Sequence, residues 1–191
     1  MYFSKFEYVG EHFANLNLES QVFEGKEFED CVFQLCSFLN GEFKNCKFIN
    51  CKFIDCTLSA VSIKGSSFVD VSFQNSKVIG MDWTAGSRIH NLSFEKCQIN
   101  YSNFRLLKLP GIKILDTEAK EVDFASTDLR KSLLMGTDFE RSIFHTTNLD
   151  GADLTRAINY YIDIHHNSLK GAKFSMPDAL NLFASLGVII E

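Results

Sequence analysis

The chain has 191 residues, a formal charge of −5 and an apolar share of 46%, enough for one domain with a proper interior and hardly for two. Its opening segment lacks a charged start followed by an apolar stretch, and no apolar run approaches the roughly 18 residues of a membrane span. The expectation is a cytoplasmic protein with no membrane contact and with its six cysteines reduced. Net acidity also argues against direct binding to nucleic acid, which needs a basic footprint.

A period of five governs the chain from Phe3 onward. Every fifth residue is large and apolar, from Phe3, Tyr8 and Phe13 through Phe53, Leu58 and Ile63 to Val78 and Trp83. The next step falls on Arg88, whose unpaired burial would cost several kcal/mol. A shift of one residue restores the pattern at Ile89, and it continues to Phe174, with a small centre at Ala119 and a polar one at Asn159. Two residues before each centre runs a second column of small or modest residues, including Cys31, Cys36, Cys46, Cys51, Cys56, Cys97, Thr127 and Thr137. A period of five fits neither a helix nor a strand. It describes a polygonal coil whose sides each turn one large and one small residue inward. The extra residue near 84–88 predicts a bulged corner that divides the rod into two sub-solenoids.

The pattern covers 1–174 and stops there. Residues 175–191 read as a short α-helix, opened by Pro177 and Asp178 and stopped by Gly187, and then a strand over Val188, Ile189 and Ile190. A solenoid end needs covering. Because this segment is apolar on more than one side, Leu180, Phe183, Leu186, Val188, Ile189 and Ile190 are the expected interface of a symmetric dimer.

Candidate chemistry is sparse. The cysteines occupy the small inward column, where Cys acts as a small hydrophobe, and C-x-x-C ligand spacing is absent. His145 and His165 are expected to lie one above the other outside, with no third ligand in view. No phosphate loop, nucleophile elbow or zinc-helix motif occurs. The reading is therefore non-enzymatic, with no catalytic residue, metal or cofactor. Charge is segregated: residues 1–30 carry seven acids against two bases, 31–113 five against ten, and 114–163 ten against five. Asp116, Glu118, Glu121, Asp123, Asp128, Asp138, Glu140, Asp150 and Asp153 form the expected acidic surface for a protein partner, one that would steer a basic protein. Asp or Asn just before a centre also suits a corner, where it bonds nearby backbone.

The runs Gly151-Ala152-Asp153-Leu154, Thr127-Asp128-Leu129, Thr137-Asp138-Phe139 and Thr147-Asn148-Leu149 resemble the A(D/N)LXX motif of pentapeptide repeat proteins, over about residues 3–174. The resemblance implies an all-β solenoid, a right-handed quadrilateral β-helix with twenty residues per coil. Phe28/Phe48/Phe68, Phe33/Phe53/Phe73 and Phe104/Phe124/Phe144 should then stack. The ending from Ala179 to Ile190 is similar to that of the quinolone-resistance (Qnr-type) branch, whose long projecting loops have no counterpart here. That branch implies a homodimer joined at its C-termini that binds a type II topoisomerase, DNA gyrase or topoisomerase IV. Its acidic, DNA-imitating surface protects the enzyme from quinolone-type poisons. The alternative is an interaction scaffold for an unrelated protein partner.

Overall fold

The computed structural model describes residues 3–186, so Gly187 and the expected strand over 188–190 lie outside the described residues. The chain winds into a β-solenoid of about eight turns. Each repeat contributes one short side, and the sides stack in parallel on those of the next coil. The first face carries Glu7–Val9, Glu27–Glu29, Lys47–Ile49, Ser67–Val69 and Arg88–His90 in one sheet. The second carries His12–Ala14, Val32–Gln34, Lys52–Ile54, Ser72–Gln74, Ser93–Glu95 and Lys113–Leu115. The third and fourth are built largely from single bridges, such as Ser37 to Thr57 and Asn103 to Asp123. Register is twenty residues per coil, as in Phe28 opposite Phe48 and Phe33 opposite Phe53.

This register turns the period of five into a core. Phe28, Phe33, Phe48, Phe53, Phe68 and Phe73 are buried, and their rings stack face to face along the axis. Centroids lie 5.0 Å apart for Phe28 and Phe48, 4.7 Å for Phe48 and Phe68, 4.7 Å for Phe33 and Phe53, and 5.1 Å for Phe53 and Phe73. Phe104, Phe124 and Phe144 stack likewise at 5.3 Å. The spacing is close to the ordinary distance between strands, because the backbone ladder sets it. Rings on adjacent faces meet edge to face, a favourable arrangement for the aromatic quadrupole. Phe3 is different: it meets Tyr8, Phe13, Phe23 and Phe28 edge-on at 5.0 to 5.5 Å and plugs the N-terminal end of the tube.

The small column does more than fill space. Most of its hydroxyls donate to the centre carbonyl of the coil before, as Ser66 does to Phe43 (2.7 Å) and Thr127 to Phe104 (2.9 Å). They also accept from the residue twenty earlier, as Ser76 does from the Cys56 amide at 2.9 Å. The cysteine thiols take the donor role, Cys46 to Phe23 and Cys56 to Phe33, both at 3.3 Å. Ser, Thr and Cys therefore interchange there because each is small and each donates.

A second positional rule was not drawn from the sequence. Two residues after most centres the backbone turns left-handed, at φ 54° in Asp30, 55° in Asn40 and 57° in Asp70. Asn, Asp and Gly recur at that position because they tolerate this region best. Their enrichment was the available signal.

Three expectations need correction. First, the inserted residue does not separate the ladders: Trp83–Ala85 form one 3-10 turn, after which Ile89 pairs with Phe68 and Phe94 with Phe73 at a spacing one residue longer. Arg88 is exposed, as its charge requires. Second, Asn159 is not a centre. It is exposed, Tyr160 is buried in its neighbourhood, and Phe144 bridges Ile162, a step two residues short. Ile164, the expected centre, is half-buried. Burying the Asn159 amide would desolvate it, whereas outside it donates to Asp138 at 2.9 Å. Third, the expected C-terminal α-helix is a 3-10 helix, Asp178–Leu186. Segments this short gain little from α-helical propagation, so packing on the solenoid end, through half-buried Leu182, decides the winding.

Candidate interaction surface

With the interior filled, the outward side chains of four flat walls carry whatever the protein presents. Among the described residues no group of three or more His, Cys, Asp or Glu side chains is placed to hold a metal ion, and no helix is long and apolar enough to cross a membrane. All six cysteines are free and buried. Burial pushes the Cys51 thiol up to about 12 and that of Cys97 to about 11, so neither offers a thiolate at neutral pH; the hydrogen bond with Cys56 lowers Cys36, which is nevertheless shut away from solvent.

The nine acids of the expected surface are distributed around the whole perimeter. Glu118, Asp138 and Glu140 lie on the third face, Asp123 on the fourth, Asp128 and Asp150 on the first, and Asp153 on the second, with Asp116 and Glu121 at corners. Sequence spacing brought them to the same coils but not to one wall. Six are ion-paired. Lys120 reaches both Asp138 (3.1 Å) and Glu140 (3.0 Å), Arg141 reaches Glu121 (3.7 Å), Arg156 reaches Asp116 (3.6 Å) and Lys173 reaches Asp153 (3.5 Å). Arg130 grips Asp128 with two bonds of 2.9 and 2.7 Å, which hold that carboxyl below the usual range. Glu118, Asp123 and Asp150 have no such partner among the described residues.

Much of this acidity is architectural. Asp123, Asp128, Asp138, Asn148 and Asp153 each accept a bond from the amide two residues on, at 2.8 to 3.2 Å, and so close the corner. Burial alone would raise the Asp138 carboxyl, yet the Asn159 amide and Lys120 ammonium outweigh it and hold it low. Glu118, in contrast, accepts only long bonds from Gln98 (3.5 Å) and Asn100 (3.4 Å) and is a side chain the fold can spare.

The histidines also move. Phe144 bridges Ile162 two residues early, and the turn after Ile162 takes up the residues left over, so that His145 faces His166, not His165, with ring centroids 5.3 Å apart. Asp163 holds His166 Nδ1 at 2.7 Å.

At the C-terminal end, three residues per turn place Leu180, Phe183 and Leu186 on one ridge. Phe183 and Leu186 are 45% and 44% exposed, while Leu182, on another side, packs against the core.

Comparison with known proteins agrees with this geometry. Residues 26–104 match the family described as pentapeptide repeat region and residues 120–158 the one described as pentapeptide repeats (8 copies). No curated protein matches the chain in sequence. Among solved structures it is similar to a trypsin-treated form of QnrB1, a plasmid-mediated fluoroquinolone resistance protein. That match has 17% identity and a TM-score of 0.74, over 97% of this chain and 100% of that one. Full-length QnrB1 aligns at 19% identity and a TM-score of 0.57, over 95% and 100% of the two chains. With five-residue sides, stacked Phe centres and small inward columns in place, the chain belongs to the pentapeptide repeat proteins.

Proposed function

We propose that this protein is a non-enzymatic interaction rod that binds a type II topoisomerase, DNA gyrase or topoisomerase IV, through its carboxylate-bearing C-terminal half and shields it from quinolone-type poisons. The supporting observation is a continuous rod, similar over 97% of its length to a fluoroquinolone resistance protein. Electrostatic complementarity to a basic enzyme surface contributes orientation and on-rate more than affinity. The unpaired carboxylates Glu118, Asp123 and Asp150 are the groups available for it, and the ion-paired ones contribute little until their partners are displaced. A homodimer joined through the ridge of Leu180, Phe183 and Leu186, together with Val188, Ile189 and Ile190, places two such halves in one particle.

The test is gyrase supercoiling with and without a fluoroquinolone, in the presence of wild type and of Glu118→Lys. This side chain closes no corner and makes no ion pair among the described residues, so the variant should fold and should protect several-fold less well. Unchanged supercoiling and unchanged poison sensitivity at excess wild-type protein would end this reading. The pairing of six of the nine acids favours a second one, a scaffold for an unrelated protein partner. Capture of a partner other than a topoisomerase by the purified rod would support it.

A further inference from the structure

The charges of the middle coils behave differently from those of the ends. Between residues 45 and 113, Lys52, Lys64, Lys77, Arg88, Lys96, Arg105, Lys108 and Lys113 make no ion pair among the described residues. On the first face, strand register aligns Lys47, Ser67 and Arg88 in one column and Ile49, Val69 and His90 in the column beside it. Ile49 points outward and is 37% exposed. Between the two columns lies an open groove of about 510 Å³ lined by Lys47, Ile49, Ser67, Val69, Ser87 and Arg88. The groove ends at the inserted residue, which carries Ser87 and Arg88 outward where the repeat would have put a centre.

We infer that this groove docks an extended segment of a partner protein that alternates carboxylate and aliphatic side chains. A cationic column and an aliphatic column side by side match such a segment. Arg88 and Lys47 meet the carboxylates, while Ile49 and Val69 receive the aliphatic side chains. Ser67 and Ser87 donate to whatever oxygen lies between. Charge complementarity sets the sign of the partner, because Arg88 has no carboxylate of its own and Lys47 shares only Glu27 from the coil above. Nearby acids that face the site are Glu27 and Glu29, one coil toward the N-terminus, and Asp70 at the corner, which is engaged by Asn91 at 2.6 Å. A nucleic-acid backbone would use the cations and hydroxyls but leave the aliphatic column idle, and no exposed aromatic ring lines the groove for base stacking. The site lies in other coils than the acidic residues proposed to meet a topoisomerase, so either assignment stands without the other.

The probe is a fluorescein-labelled peptide of about eight alternating glutamate and valine residues, long enough to cross the strands of three coils. Its anisotropy is read on titration with the full chain at low salt. Binding should weaken as salt rises, fall about ten-fold for Arg88→Glu, fall several-fold for Val69→Ser, and stay within two-fold for Lys64→Glu on the fourth face. Circular dichroism melting of each variant separates loss of binding from loss of fold. Three outcomes overturn the inference: no binding by wild type; equal damage from Lys64→Glu and Arg88→Glu, which makes the effect one of bulk charge; or preference for a labelled DNA duplex over the peptide.

Discussion

Truncation of Phe48 to alanine tests the reasoning behind the fold most directly. Its side chain is fully buried, stacked on Phe28 at 5.0 Å and Phe68 at 4.7 Å, and edge-on to Phe43 at 4.9 Å. Removing a buried Phe costs about 3–5 kcal/mol, and each lost aromatic pair adds about 0.5–1.5 kcal/mol beyond area. Two stacks are lost at once, so Phe48→Ala should sit near the top of that range, at about 4–5 kcal/mol. Phe48→Leu, which keeps most of the volume, should cost about 1–2 kcal/mol. Equilibrium urea unfolding followed by circular dichroism is the assay. With a slope of about 2 kcal/mol per M, the alanine variant should lose about 2 M in midpoint. Ile49→Ala, one residue along and pointing outward, should change stability by less than about 1 kcal/mol. Equal midpoints for wild type and Phe48→Ala, or an Ile49→Ala as damaging as Phe48→Ala, would refute the stacked-core argument.

Further outcomes follow from the corners, the thiols and the surface. Leu106 is 70% exposed and held at φ 64°, where a leucine is strained; Leu106→Asn should raise stability by about 0.5–1 kcal/mol, seen as a higher melting temperature. Thiol titration of the native protein should find no fast-reacting group, and titration in guanidinium should find all six cysteines; a rapidly modified thiol in the native state contradicts the assigned burial. The Asp128 carboxyl is depressed by Arg130, so its contribution is present at neutral pH and is lost as pH falls below about 4 through the folded-state value. Asp128→Asn should therefore show a shallower loss of melting temperature between about pH 4 and 2 than wild type. Phe183→Asp should convert a dimer to a monomer by size-exclusion with light scattering, and wild type and variant both running as monomers would remove the dimer from the proposal.

Much of this molecule was decided by its sequence alone. A five-residue alternation of large and small residues places each side chain inside or outside by position within its own repeat, so burial of Phe28, Phe33 or Phe53 is a local property. The Phe stacks follow once twenty residues make a coil. Aspartates before a centre likewise act on amides two residues away, within reach of local reasoning. Tertiary structure decided whatever depends on neighbours one coil away. Tyr160 and Ile162 entered the core in place of Asn159 and Ile164, Ile162 beside Phe144 of the coil before and Tyr160 against Phe174 of the coil after. His145 met His166 because the turn after Ile162 takes up the residues that the short step left over. Lys120, Arg141 and Arg156 neutralised acids about twenty or forty residues distant in sequence, and the four walls dispersed the rest, so a run of acids became no single acidic face. The C-terminal segment wound at three residues per turn because the end of the tube, not its own propensity, fixed its geometry. Periodicity sets what is buried, whereas contacts between coils set what the surface presents.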